Sequence, residues 1–394
     1  MSKSASGAGT IRKKTVTRNG KNYTFWEGRL TVGYDPGTGK QKQRSFSGKT
    51  QKEVREKMQA AAVSLTDGTY FEPSKLTVSE WLDIWLVDYC RTVKPLTLRA
   101  YRTSCETHIR PALGAVKLSD LSPIHCQRFI NGATNKATGK PLSPKSVKNL
   151  HGVLHRCLET AVRAGVIKSN PADRTELPRM EKYEISPLDD AQTAKFIQAV
   201  RGHKFESIFI VTLLTGMREA EVLGLSWDCV DFKSGTITIS QQLQRIDGEY
   251  QLITPKSNKA RVLYPAQAVM DILKHQHTAQ ARYRLAAGAA WHNPLNLVFT
   301  TECGGNISPT TLYKSFKRIV ADMGIPQERY HDLRHSYATA ALKNGDSLKD
   351  VQEALGHATA SFTLDIYGHV TEEMKRDSAN RMQEYYTALT QKQA

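Results

Sequence analysis

The chain has 394 residues, 40% of them hydrophobic and 24% charged, and a formal net charge of +17, enough length for two or three separately cored domains. The charge is uneven: residues 1–70 carry 14 Lys+Arg against 5 Asp+Glu, residues 71–185 carry 18 against 11, and residues 186–394 carry 23 against 22, which argues for a polyanion-gripping front and a rear with a separate task. The sequence shows no apolar run of the ~18 residues a membrane span needs, no basic amphipathic helix suited to an anionic bilayer and no apolar leader in the first ten residues, while six scattered cysteines without a CxxC pair fit reduced thiols in a cytosol.

The first segment reads as β. Thr15–Thr17 is β-branched, Asn19-Gly20 supplies a hairpin turn, Tyr23–Tyr34 continues as strand, Asp35–Gly39 turns the chain, and Lys40–Phe46 makes a third strand. A helix follows, with Thr50 as N-cap, Glu53 closing a capping box, and a stop near Asp67-Gly68. Arg29, Lys42 and Arg44 stand beside Tyr23, Phe25 and Trp26, giving a small module with a basic surface over an aromatic core.

Residues 76–170 read as helical. Thr77 and Glu80 form another capping box, Trp81, Ile84 and Trp85 recur at helical spacing, and Arg110-Pro111 with Leu113-Gly114 breaks the pattern. A further helix runs from Ser143 to about Gly165. Arg99, Arg102, Lys145 and Lys148 are among the basic residues of this bundle, which carries no visible catalytic set and reads as a grip on nucleic acid. Pro171, Pro178 and Pro187 with interleaved charges mark a linker. Beyond it the chain is mainly helical with one β patch: Gly235–Gln241, partnered by Tyr250–Thr254 and Arg261–Tyr264, with Lys256 in the turn between those two.

Two nucleotide signals fail. The stretches around Gly48-Lys49-Thr50 and Gly39-Lys40 lack the upstream Gly or the following Ser/Thr of a phosphate-binding loop. His331 and His335 have the i, i+4 spacing of a zinc pair, but Arg334 lies between them and no third ligand has recognisable spacing. An Arg three residues after a His suits an anion better. Arg218, in Thr215–Glu221 after the apolar run Ile208–Leu214, falls near a helix start, which also favours phosphate. Lys256, Leu355-Gly356-His357 and Leu364–Tyr367 complete an ordered series of candidates.

Three stretches, TGMREAEVLGL (215–225), HDLRHSYAT (331–339) and LGHATASFTLDIYGHV (355–370), closely resemble the signatures of the tyrosine recombinases of the phage integrase family. HIRPALGAVKLSDLSP and GVIKSNPA resemble, more loosely, that family's core-binding domain, and the first 70 residues its arm-type DNA-binding module. The resemblance implies a multidomain, mainly α fold with small β parts: a three-stranded sheet plus helix (1–70), a helical SAM-like core-binding bundle (71–175) and a mixed α/β catalytic domain with a C-terminal tail (186–394).

It also implies roles. Arg218 and Arg334 would neutralise the non-bridging phosphate oxygens, and His331 and His357 would hydrogen-bond the same phosphate, with His331 favoured as the base. Lys256 would be the general acid for the leaving 5′-oxygen, Glu221 an orienting carboxylate, and Tyr367 the nucleophile forming a 3′-phosphotyrosine. No metal and no cofactor is implied. The expected partners are double-stranded DNA at core and arm sites, three further copies of the chain in a tetramer exchanging strands through a Holliday junction, an excisionase and a DNA-bending protein, all in a bacterial cytoplasm. The tail 371–394 is expected to pack on a neighbouring copy. A type IB topoisomerase shares this chemistry and a DNA-binding regulator with a decayed site would share the basic front. The arm-like module and the His357-to-Tyr367 spacing speak against the first, and the presence of all six active-site residues against the second.

Overall fold

The computed structural model describes residues 9–18, 20–34, 37–66, 74–180, 187–255, 260–356 and 372–391. The chain divides into two compact units, Met1–Glu181 and Lys182–Ala394, with the sequence boundary inside the proline-marked segment.

In the first unit, β1 (Thr10–Arg18), β2 (Lys21–Tyr34) and β3 (Gln41–Gly48) form an antiparallel sheet in that order. Alternation along β2 turns Trp26 and Leu30 toward one face, where α1 (Gln51–Thr66) buries Val54 and Met58 against them. Thr50 accepts the Glu53 N–H at 3.2 Å, and the Glu53 carboxylate reaches back to the Lys49 N–H at 2.9 Å and forward to Lys57 at 2.7 Å, so the expected cap starts this helix. Its expected stop at Asp67-Gly68 lies outside the described residues.

The rest of this unit is an all-helical bundle. α2 (Val78–Ile84) starts at a full Thr77/Glu80 capping box and runs on through a π turn, Trp85–Tyr89. α3 (Pro95–Ser104) likewise continues through a π turn, Cys105–Ile109, into α4 (Arg110–Leu113). Arg110-Pro111 therefore does not end the helical path. Pro111 has no N–H to supply, and the path passes it through the π turn that directly precedes α4, while Arg110 is anchored by Asp83 at 2.6 Å and Glu106 at 3.0 Å. α5 (Pro123–Asn131) and the long α6 (Pro144–Arg163), capped by Ser143, complete the bundle. Trp81, Trp85, Ile109, Leu154 and Leu158 fill its core, and the Trp81 indole N–H donates to the Cys157 carbonyl at 3.1 Å, satisfying the ring's one polar atom.

The second unit contains α7 (Asp190–Ala199), α8 (Glu206–Thr215), α9 (Glu219–Leu223), α10 (Gln267–Ala287), α11 (Pro309–Asp322), α12 (Asp332–Lys343), α13 (Leu348–Leu355) and α14 (Glu372–Gln391). Helix α8 is apolar all round, as a central helix must be, and is largely buried. Phe209 of this helix forms a ring cluster with Phe196, Phe316 and Tyr330, with centroids 5.7–6.1 Å apart. Truncating one of these phenylalanines to Ala would cost about 3–5 kcal/mol. The Tyr330 hydroxyl and Thr212 Oγ1, 2.6 Å apart, link α8 to the start of α12.

The β patch is split, in contrast to the sequence expectation. β5 (Thr236–Ile239) pairs with β4 (Val230–Asp231) and β8 (Arg261–Leu263), while β7 (Glu249–Ile253) pairs with β6 (Gln242–Ile246). Asp247 and Gly248, both at positive φ, close a tight β6–β7 hairpin that takes β7 away from β5. All six cysteines are free, and no helix among the described residues is long and apolar enough to cross a membrane.

Candidate active site

The site begins where α8 stops. Gly216 adopts φ +63°, and a Cβ there would lie 2.4 Å from the Tyr337 ring, so both backbone and packing require glycine. The sharp turn brings Arg218 to the N-cap of α9. Glu221, one turn on, accepts the Arg218 main-chain N–H at 2.9 Å and its Nη1 at 2.8 Å. The Glu221 side chain has no solvent exposure. A second guanidinium, Arg261 of β8, completes the carboxylate with a two-pronged pair at 3.0 and 2.7 Å. Burial alone would raise the Glu221 carboxyl, but the Arg261 hydrogen bonds and charge, with the Arg218 N–H and charge, outweigh it and bring it down to about 2.

The other wall is α12. His331 is its N-cap, with helical backbone angles, four residues before His335. Asp332, also buried, is fixed by Arg329 through the main-chain N–H and guanidinium, both at 2.7 Å. Arg334 is only 2% exposed. Its Nη1 donates to the Gly216 carbonyl at 2.7 Å and its Nη2 to the Leu355 carbonyl at 2.6 Å.

These arginines converge on the end of α13, where helical carbonyls lack internal partners and the dipole is negative. Three successive carbonyls there each receive a different guanidinium: Ala354 from Arg261 at 2.8 Å, Leu355 from Arg334 at 2.6 Å and Gly356 from Arg218 at 3.4 Å. Gly356, at φ +63°, lies close over the Arg261 side chain, which a Cβ would approach to 3.1 Å.

The His331 and His335 rings meet edge to face at 4.9 Å. Desolvation, then the charges of Arg334, Arg218 and Arg329, push His331 down to about 4 against the pull of Asp332. His331 as a residue is exposed, and the guanidinium charges around it disfavour its protonated form. His335, buried, is brought to about 4 by desolvation and its neighbour. Both imidazoles are therefore neutral near pH 7, the form that accepts a proton. Among the described residues no group of three His, Cys, Asp or Glu side chains converges as a metal site would.

Residues 179–374 match the phage integrase family, and residues 77–133 match the N-terminal SAM-like domain of phage integrases. A XerC-like tyrosine recombinase of Caldanaerobacter subterraneus subsp. tengcongensis is 28% identical over 95% of this chain and 99% of its own length. The ICEBs1 integrase of Bacillus subtilis is 23% identical over 73% of this chain and 82% of its own. The chain belongs to the phage integrase family of tyrosine recombinases. Its activity is site-specific recombination, by cleavage and rejoining of DNA strands.

Solved relatives show the same fold. The Tn1549 transposon integrase bound to transposon right end DNA superposes with a TM-score of 0.65 at 21% identity, covering 78% of this recombinase and 99% of that chain. A lambda integrase from a tetramer bound to a Holliday junction gives 0.56 at 19%, covering 91% and 96%.

Of the residues singled out in the recombinase's sequence, Arg218, Glu221, His331 and Arg334 come together in one centre. Lys256, His357 and Tyr367 lie outside the described residues. The basic residues of the N-terminal sheet do not share one face. Arg44 pairs with Leu30 across β2 and β3, so it and Lys42, two residues earlier, take the α1 side, whereas Arg29 takes the other. Arg29 there joins Arg12 and Lys14 around Glu27, whose carboxylate accepts from Arg12 and Lys14 at 2.9 Å each. In the helical bundle Arg99 and Arg102 are exposed on α3, and Lys145 and Lys148 on α6. Arg156 of α6 covers the Tyr101 ring of α3 at 5.8 Å, joining the two helices. Arg261 was invisible to sequence reasoning, because its partners stand 40 residues before and 93 residues after it.

Proposed function

We propose that the chain is an integrase that inserts and excises a mobile DNA element through a covalent 3′-phosphotyrosine at Tyr367. The observation that carries this reading is the convergence of Arg218 and Arg334 on the end of α13, directly before the Gly356-His357 pair. Two guanidiniums held by carbonyls and a carboxylate cannot collapse onto each other. Fixed in place by these partners, the two guanidiniums bring positive charge to one centre, which suits stabilisation of a pentavalent phosphate, the kind of term that usually contributes most to such a reaction. Neutral His331 beside them takes the Tyr367 proton, Lys256 protonates the departing 5′-oxygen, and His357 adds a donor to the phosphate. The aryl phosphodiester keeps the energy of the broken bond, so rejoining to a new 5′-hydroxyl requires no nucleotide.

The remaining assignments follow the same reading. Residues 1–70 bind arm sites, residues 71–175 bind core sites through Arg99, Arg102, Lys145 and Lys148, and residues 186–394 carry out the chemistry. Arg29, Lys42 and Arg44 belong to the arm-binding module. In α14, Met382, Tyr386 and Leu389 recur at i, i+4 and i+7 and are all exposed, which supports packing of this tail on a neighbouring copy in a tetramer. An excisionase and a DNA-bending protein would set direction, and the work would take place in the cytoplasm.

A nicked suicide duplex carrying the end of the DNA element that encodes the chain tests the proposal. Incubated in EDTA without ATP, the wild-type chain should yield a covalent protein–DNA band, and a second duplex with the same site should yield exchanged strands. Adduct and plasmid relaxation without exchange would favour a type IB topoisomerase. Binding without adduct would favour a DNA-binding regulator.

A further inference from the structure

Arg261 belongs to none of the signature stretches, yet its guanidinium is held on every side. All three of its nitrogens are used: Nε on the Ala354 carbonyl at 2.8 Å, Nη1 and Nη2 on the two Glu221 oxygens at 3.0 and 2.7 Å. Its side chain is 10% exposed and that of Glu221 is 0% exposed. A carboxylate so buried is retained only with its partners in place. Glu221 in turn holds Arg218 at both its main-chain N–H and its Nη1.

Two consequences follow from the geometry. The first is mechanical: the Arg261 fork ties β8 to α9 and to the last turn of α13, the three elements around Arg218. The second is electrostatic. With Arg261 present, Glu221 is shared by two guanidiniums, leaving net positive charge for a phosphate. Without it, Glu221 would neutralise Arg218 one to one. Only an arginine can serve three acceptors in these directions, since a lysine presents one nitrogen.

We propose that Arg261 is a positioning residue for strand cleavage: through Glu221 it fixes Arg218 and keeps it cationic toward the scissile phosphate, while its Nε anchors the α13 end to the same centre. This inference rests on the proposed catalytic role of Arg218. Around Glu221 stand Arg218 on α9 and Arg261 on β8. Tyr337 and Arg334 of α12 lie near Arg261, and α13 contributes main-chain carbonyls.

The test uses full-length wild type, Arg261→Ala and Arg261→Lys on the suicide duplex, measuring DNA affinity and the single-turnover rate of adduct formation from pH 5 to 8. Arg261→Ala should bind within about 3-fold of wild type and form adduct about 100-fold more slowly. Its rate should change with pH between about 7 and about 5, because Glu221, stripped of its main partner, then takes up a proton and alters both its hold on Arg218 and the charge it sets against it. Wild type should show no such change from this group. Arg261→Lys, which keeps the charge, should recover part of both rate and pH profile, and it carries the test where Arg261→Ala fails to fold. Wild-type rates in both variants would overturn the inference, as would a slower Arg261→Lys whose pH profile runs parallel to wild type. A wild type that binds the duplex and forms no adduct would instead overturn the recombinase chemistry, and this inference with it.

Discussion

The two halves of the molecule use the same residue type in opposite ways. In the helical bundle of the first unit, Arg99, Arg102, Lys145 and Lys148 stand in solvent on two adjoining helices. In the second unit, Arg334 is buried at 2% exposure, Arg261 nearly so, and each donates to a main-chain carbonyl whose position the fold dictates. Exposed cations are screened by salt and can follow an irregular backbone, which suits a grip. Buried, hydrogen-bonded guanidiniums cannot rearrange and act in a lower dielectric, which suits transition-state stabilisation. The difference separates binding from chemistry, and it can be attacked from either side.

The largest effect falls on the nucleophile. Tyr367→Phe should remove covalent adduct altogether and leave DNA affinity within about 2-fold, as read on denaturing and native gels side by side. Next comes Arg334→Ala. It strips partners from the Gly216 and Leu355 carbonyls, so cleavage should drop by at least about 10²–10³-fold, and denaturant unfolding should register a loss of about 1–3 kcal/mol for each orphaned acceptor. If the rate survives while stability falls, the buried guanidinium is structural only.

Glu221→Gln probes the same centre through pH. The folded carboxyl, at about 2, lies below its ordinary value of 4.5, so its contribution to stability is present above about pH 4.5 and lost as pH falls through about 2. The shift corresponds to a contribution on the order of 3 kcal/mol. The wild type should lose that stability on acidification over this window, and the Gln variant, already destabilised at neutral pH, should lose correspondingly less. Parallel curves would show that the carboxylate is not held as described. The smallest effects belong to the exposed cations. Single replacements of Lys145 or Lys148 by Ala should weaken DNA binding, reduce the salt slope by about 0.9 each and leave the rate at saturating DNA unchanged.

Much of this was legible before any coordinates. Thr77 and Glu80 announce α2, Ser143 announces α6, and the Thr50–Glu53 spacing announces α1, because caps are local chemistry. The positions of Arg218 and Glu221 were equally clear, since a three-residue spacing places them within one helical turn. What stayed hidden depends on distant partners. Nothing near Arg261 signals Glu221 or Ala354, and nothing in Lys40–Phe46 tells which face Arg44 takes until the β2–β3 register is known. Strand pairing failed for a related reason: Tyr250–Thr254 has the composition of a strand, but the Asp247-Gly248 turn, not composition, selects β6 as its partner.

The most direct test of the central claim is to locate the covalent bond. Wild-type chain trapped on the nicked duplex would be digested with protease and nuclease, and the peptide carrying a residual nucleotide sequenced by mass spectrometry. The account predicts a single modified peptide with the nucleotide on Tyr367. A nucleotide on any other residue, Tyr337 included, or a trapped complex that dissociates in denaturant without modification, would contradict it.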